Sequence, residues 1–287
     1  MESKIKCECG STVCKSSLKK HLETTKHKIN TQIYEDAKLI ASDICLSSLR
    51  NYKVIDKVND KVNGKVIDEK QPNSGLKIKT PTLQIFVAKR NSGKSHLMKH
   101  LLHKLMKEKA FDWVLVFSAT KFNNEWCDIV GEKNVCDEFN PDWVMNLLDK
   151  QGALVKKKKA KPGLLLFDDM IGTANFKSDV ITKIAIASRH YKITCWISSQ
   201  YYTKLPPVIR QNSDYVYILN NINETVSRKI HEEFPCATFK TWKDVYAYAE
   251  EATQNFGVML INNSSDCFIS SYRAPPKLPK FSIKQKR

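Results

Sequence analysis

No apolar run in this chain reaches the ~18–20 residues that a membrane-spanning helix needs. Its first residues, MESKIKCECGS, lack the apolar core of an export signal. The expectation is therefore a protein with no membrane span and no secretion signal. Acidic charge is also scarce. Of 287 residues, 30 are Asp or Glu and 47 are Lys or Arg, a net charge of +17. A chain so basic usually meets a polyanion, most often nucleic acid, with an acidic membrane surface as the other option. An even cysteine count is missing too. Nine cysteines without an export signal read as reduced thiols or metal ligands rather than a disulfide framework. What is present is a real core: 42% of residues are hydrophobic and 27% charged, which excludes disorder of the whole chain.

Four regions separate by composition. Residues 1–28 form a small module with three of the nine cysteines and two of the seven histidines. Residues 29–80 hold a helix and a charged linker. Ile29, Ile33, Ala37, Ile40 and Leu46 have roughly helical spacing, and KVIDKVNDKVNGKVIDEKQPNSG follows with too little apolar variety for a core. Residues 81–275 form the main domain, and 276–287 a basic, Pro-rich tail expected to be flexible.

In the main domain, short apolar runs alternate with helical stretches: LQIFVA, WVLVFSA, GLLLFDD, ITCWISS and DYVYIL. Consecutive Val, Ile, Leu and aromatic residues fit strands buried on both faces. The alternation predicts an α/β domain with a helix-flanked, mainly parallel sheet. Two further runs, residues 256–262 and 267–273, predict an antiparallel hairpin at its edge.

The sharpest signal is Ala88-Lys89-Arg90-Asn91-Ser92-Gly93-Lys94-Ser95. It follows an apolar strand and opens a helical pattern of Leu97, Met98, Leu101, Leu102, Leu105 and Met106. Strand, loop and helix in that order are the context a phosphate-binding loop requires. Gly93 allows close backbone approach, and the loop amides and helix N-terminus face an anion. Lys94 reaches the β- and γ-phosphates of ATP, and the Ser95 hydroxyl ligates Mg²⁺. The first glycine of the usual motif is absent; Ala88 stands there, at the strand exit.

GLLLFDD then supplies two carboxylates at a strand end. Asp168 is expected to hold the Mg²⁺ hydration shell and Asp169 to orient or deprotonate the attacking water. Gln200, at the end of ITCWISSQ, is a sensor candidate, because ligands of open α/β sheets bind at the carboxyl ends of strands. Arg189 and Arg210 are both candidates for a charge-stabilising finger, and the sequence does not choose between them.

Taken in order, AKRNSGKS, WVLVFSAT, GLLLFDD, SRHYKITCWISSQ and LPPVIRQNSDYVYIL resemble the poxvirus-type genome-packaging ATPases of large DNA viruses and virophages, within the FtsK–HerA superfamily. The resemblance runs over residues 80–275. It implies a P-loop NTPase fold with a mainly parallel five-stranded core sheet, in which Lys94 and Ser95 bind nucleotide and Mg²⁺, Asp168 and Asp169 do the Walker B work and Gln200 is the sensor. It also implies a homo-oligomeric ring that translocates double-stranded DNA into a preformed capsid. Capsid or portal-vertex proteins are then partners, and the location is the virion or a viral factory in the host cytoplasm.

Ahead of that domain, Cys7, Cys9, His21 and His27 give C-x-C-x11-H-x5-H, close to a Cys2His2 zinc finger but shorter between the cysteines. Zn²⁺ would supply the folding energy that so short a module cannot obtain from burial. Cys14 is an alternative ligand. Lys15, Lys19 and Lys20 suit phosphate contacts, and DNA binding or protein docking both fit. His96, His100 and His103 share a helix face, read as a polar stripe ahead of a metal site. Residues 156–161, KKKKAK, are either a solvated loop or a DNA-facing one.

The whole predicts an ATP-hydrolysing, DNA-translocating packaging motor. The alternatives are a helicase or DNA-transfer ATPase of the same superfamily, and a non-hydrolysing zinc-finger nucleic-acid-binding protein. A nucleotide kinase is weaker, because such kinases usually lack a second catalytic carboxylate.

Overall fold

The computed structural model describes residues 77–172, 178–264 and 267–285, together with three strand segments nearer the N-terminus. Those segments are β1 (Lys4–Lys6), β2 (Thr12–Cys14) and β3 (Tyr52–Asp56). β1 and β2 pair antiparallel. The expected zinc ligands Cys7, Cys9, His21 and His27 and the helix expected within 29–49 lie outside the described residues.

The main sheet is built from β4 (Leu83–Ala88), β5 (Trp113–Ser118), β6 (Val135–Cys136), β7 (Gly163–Asp168), β8 (Ile193–Ser199), β9 (Tyr215–Leu219), β10 (Val258–Asn262) and β11 (Phe268–Tyr272). Its order is β11-β10-β9-β4-β8-β7-β5-β6. From β9 to β6 the strands run parallel. β10 and β11 form the antiparallel hairpin at one edge. The five apolar runs are thus the five central strands, and every residue of β4, β5, β7, β8 and β9 is buried. β6 was not expected; two residues carry no periodic pattern.

Helices cover both faces. On one lies α1 (Lys94–Lys107), whose Leu97, Leu101 and Leu105 pack with Phe86, Val116, Leu166 and Tyr217. On the other lie α2 (Pro141–Lys156), α3 (Asp179–Ala187), α4 (Pro207–Gln211), α5 (Glu224–Glu233) and α6 (Trp242–Ala252). Their apolar residues, such as Leu148, Ile184, Ile209, Ile230 and Val245, meet Ile85, Phe117, Phe167 and Ile197. Alternate residues of each strand therefore serve two different cores, as the pleat requires.

The helix starts differ. Asn140 Oδ1 accepts from the Trp143 N–H and caps α2; Asn223 caps α5 in the same way through Val226; Thr241 and Asp244 close a reciprocal box on α6. α1 has no side-chain cap and no acidic residue in its first turn.

The tail and linker expectations need correction. Phe281–Gln285 form β12, paired antiparallel with β3. Phe281 and Ile283 are buried in the core on the α1 face, so this part of the expected flexible tail is a packed strand. Likewise Tyr52–Asp56, within the expected linker, is a strand. Each is five residues long, and its partner lies at the other end of the chain, so neither carries a local signal strong enough to stand out.

Candidate nucleotide site

The site lies at the carboxyl edge of the parallel strands. Topology creates it: β8 lies between β4 and β7, so the loop after β4 and the carboxylates after β7 flank the end of β8. Register sets the level. Val87 is beside Ser199, and Phe167 is beside Ile197.

Ala88 closes β4 and is fully buried, with φ outside the left-handed region. A Cβ is thus accepted where the usual motif has glycine. The chain then turns left-handed twice, at Asn91 (φ 59°) and Gly93 (φ 90°). Asn tolerates that region through its short polar side chain, and Gly has no Cβ to clash. Ser92 Oγ donates to the Lys89 carbonyl at 2.6 Å and closes the turn. Gly93 caps α1, its carbonyl accepting from the Leu97 N–H at 2.9 Å. The first amides of a helix have no partner within it. With no side-chain cap and no acidic residue in the first turn, they and the helix dipole are left to an anion.

Opposite stands the carboxylate pair. Asp168 is buried, its Oδ1 accepting from Ser198 Oγ at 2.7 Å and its Oδ2 from Trp126 Nε1 at 2.9 Å. Asp169 has φ 53° and donates its N–H to the same Ser198 hydroxyl at 3.0 Å. Its Oδ1 is hydrogen-bonded by Lys94 Nζ. The Lys94 side chain is 10% exposed and that of Asp169 36%. A nearly buried ammonium needs a counter-charge, and Asp169 is it. Lys94 and the acidic pair, 75 positions apart in sequence, thus share one site.

Gln200 follows β8, half-buried, with its carbonyl bonded by Asn221 Nδ2. Ser95 is half-buried in the first turn of α1, and Lys89 and Arg90 are exposed on the loop. The arginines separate. Arg189 lies just ahead of β8, at the amino edge of the sheet, where its Nη1 donates to Asp214 Oδ1 at 3.0 Å. Asp214 Oδ2 in turn accepts from the Leu83 N–H at the start of β4. Burial pushes the Asp214 carboxyl upward, opposed by that amide and by Arg189.

Arg210 has a different task. Its Nε and Nη2 grip Glu233, its Nη1 donates to the Leu205 carbonyl and its guanidinium lies 5.3 Å from the centre of the Tyr202 ring. Tyr202 donates to the same Glu233 at 2.5 Å. The Arg210 side chain is 6% exposed. A finger must project toward a neighbour, and this guanidinium is buried with all three nitrogens bonded within its own chain. The candidacy of Arg210 is corrected on that ground.

The histidine stripe holds chain rather than metal. His96 Nε2 meets the Pro275 carbonyl at 2.7 Å, His100 Nε2 meets the Tyr272 hydroxyl at 2.8 Å, and His103 packs 4.7 Å from the Phe281 ring. Burial above all, then Lys104, His103 and His96, lowers the His100 pKa to about 4. Among the described residues, no group of three His, Cys, Asp or Glu side chains could hold a metal ion. Lys156–Lys159 are exposed at the amino edge, away from the phosphate loop. Sequence reasoning missed Ser198 and Trp126. Ser198 had a signal, a hydroxyl within an otherwise apolar strand; Trp126 had none.

No family model matches the chain. The chain is 26% identical over 184 residues to Uncharacterized protein 075L of Invertebrate iridescent virus 6, covering 63% of this chain and 70% of that protein. It is 22% identical over 190 residues to an uncharacterized protein of Acanthamoeba polyphaga mimivirus, covering 62% of this chain and 66% of that one, just under two thirds of its length. Among solved structures it is similar to the genome packaging NTPase B204 from Sulfolobus turreted icosahedral virus 2 in complex with AMPPCP. That similarity has 18% identity and a TM-score of 0.49, over 69% of this chain and all of the other.

Proposed function

We propose that the chain is an ATPase that uses hydrolysis to drive double-stranded DNA into a viral capsid. One observation carries the reading: Lys94 of the phosphate loop bonded to Asp169 across the carboxyl edge of the sheet. In this reading the γ-phosphate of ATP takes over Lys94, which releases Asp169 to orient and deprotonate the attacking water. The amides of residues 91–95 hold the phosphates, and Gln200 senses the terminal one. Mg²⁺ fits the donor set. Asp168 keeps free lone pairs while Ser198 and Trp126 fix its orientation, and Ser95 directly follows Lys94, which bonds the neighbouring Asp169. Bound there, the ion would neutralise charge on the phosphates.

Arg189 lies at the edge away from its own loop, so it would serve as a finger only toward the nucleotide of a neighbouring subunit, in a homo-oligomeric ring. The net charge of +17 and the exposed Lys156–Lys159 run favour DNA phosphates as the cargo contact. Capsid or portal-vertex proteins would be the docking partners, and a virion or viral factory the location. Cys7, Cys9, His21 and His27 stand as a zinc proposal; metal analysis of the full chain should find zinc that Cys7→Ser loses.

The experiment is ATP hydrolysis by the assembled protein with and without duplex DNA, for wild type and Asp169→Asn. Duplex DNA should stimulate the wild type, and the variant should lose about 10²–10⁴-fold in rate. Absence of stimulation would count against a motor. Strand separation would favour the helicase, and hydrolysis unaffected by Lys94→Ala would remove the loop from the account.

A further inference from the structure

A solvent-exposed phenylalanine stands beside the phosphate loop. Phe256 is 68% exposed, although most aromatic side chains of this domain are buried. It lies in the turn Gln254–Phe256, between α6 and β10. Because β10 runs antiparallel to β9, and β9 parallel to β4, the start of β10 is at the edge where β4 ends. Contact follows from that placement. A Cβ at position 93 would stand 3.3 Å from Phe256 Cδ1, so the ring edge lies over Gly93, the residue before Lys94.

The turn holds the ring there by unusual means. Asn255 (φ 50°) and Phe256 (φ 60°) are consecutive left-handed residues, and the second is bulky. The Gly257 N–H donates to the Gln254 carbonyl at 2.8 Å, and Arg273 Nη2 donates to that same carbonyl at 3.2 Å. Gly257 itself has no substitute, because a Cβ there would fall 2.1 Å from the Ala252 carbonyl oxygen. Beside the turn is a cavity of about 180 Å³, lined by Ala252, Gly257, Ser271 and Arg273 among others. An apolar ring is thus kept in water, in a disfavoured backbone conformation, beside the uncapped start of α1.

We infer that Phe256 is the platform on which the base of the bound nucleoside triphosphate stacks. The inference rests on the reading of the 88–95 loop as a triphosphate site and extends it to the other end of the ligand. Every base has a π-face, so an aromatic platform adds affinity without demanding one base. Arg273 acts as a positioning residue, tying the turn down through the Gln254 carbonyl.

The test is equilibrium binding of Mg-ATP and of Mg-tripolyphosphate to the full chain, in wild type, Phe256→Ala, Phe256→Trp and Lys94→Ala. Phe256→Ala should weaken ATP about 5- to 100-fold, the range that base–aromatic stacking supplies, and leave tripolyphosphate unchanged. Phe256→Trp should restore ATP binding. Lys94→Ala should weaken both ligands. Unchanged ATP binding in Phe256→Ala would overturn the inference. So would an equal loss of both ligands, which would mean that the ring shapes the loop or a subunit contact. Wild type binding tripolyphosphate as tightly as ATP would overturn the base platform and leave the loop intact. Wild type binding neither would overturn the loop reading, and the platform with it.

Discussion

The two edges of the sheet use polar groups in opposite ways. At the amino edge they are tied to one another. Asp214 takes the Leu83 amide and Arg189, and the Trp113 indole and Gln151 both donate to the Lys161 carbonyl. At the carboxyl edge Asp168 is tied in the same way by Ser198 and Trp126, but the helix N-terminus and Lys94 are left exchangeable. α1 is uncapped, and Lys94 is satisfied by a single half-exposed carboxylate. Backbone conformation follows the same division. Left-handed residues at the amino edge, Lys109, Lys158 and Lys192, come directly after helical segments, where a reversed last residue is ordinary. At the carboxyl edge Asn124 likewise follows a helical turn, but Asn91, Asp169 and Asn220 are left-handed in loops, and Asn255 and Phe256 are left-handed in succession. The amino edge spends its polar groups on stability; on the proposed function, the carboxyl edge holds its disfavoured geometry for a ligand.

Substitutions can break this contrast. The largest effect should come from Arg189→Ala. If Arg189 is the finger across subunits, hydrolysis by the assembled protein should fall by about 10³-fold or more. Stability should fall by about 1–3 kcal/mol, because Arg189 is half-exposed but the buried Asp214 loses its charged partner and keeps only the Leu83 amide. Steady-state rates beside a denaturant titration check both halves. An unchanged rate would return Arg189 wholly to the structural edge.

Arg210→Ala should do the reverse. It leaves Glu233 buried and unpaired, and should cost about 3–5 kcal/mol of unfolding free energy. A loss below about 1 kcal/mol would mean that the Arg210–Glu233–Tyr202 cluster is not the strut described, since that is the range of an exposed pair.

Trp126→Phe sharpens the carboxyl edge. Deleting one donor to the buried Asp168 should destabilise by about 1–3 kcal/mol and loosen Mg²⁺-dependent nucleotide binding more than Mg²⁺-free binding. Equal loss in both conditions would make Trp126 a packing residue only.

The smallest effect is a pH dependence. His100 has a folded pKa near 4, below the unfolded value of 6.5. The unfolded chain therefore binds a proton first as pH falls. The stability this residue contributes is complete above pH 6.5 and is lost as pH drops toward 4. His100→Gln, which can still bond Tyr272, should flatten the fall in melting temperature across that window. An unaltered slope would show that His100 does not titrate there.

Contiguity decided what could be read before the structure. The loop at 88–95 is one unbroken segment between a strand and a helix, so its chemistry is local and visible. The five central strands are visible because burial on both faces leaves apolar residues at consecutive positions. Trp126 bonds Asp168 from 42 residues away, and Ser198 does so only because β8 enters between β4 and β7. Neither pairing has a local pattern. Arg210 stood as a finger candidate because its partner, Glu233, is 23 residues on and meets it only in the folded chain. Phe256 reads in the sequence as the first residue of a strand; the left-handed turn that lifts it toward Gly93 is a property of the folded loop.

The central claim is that Lys94 and Asp169 hold each other's place until a triphosphate arrives. A structure of the full chain with Mg²⁺ and a non-hydrolysable ATP analogue tests it most directly. The account predicts Lys94 Nζ on the terminal phosphates and Asp169 released toward the space beside Gln200. A bound analogue with the Lys94–Asp169 pair still intact would contradict it.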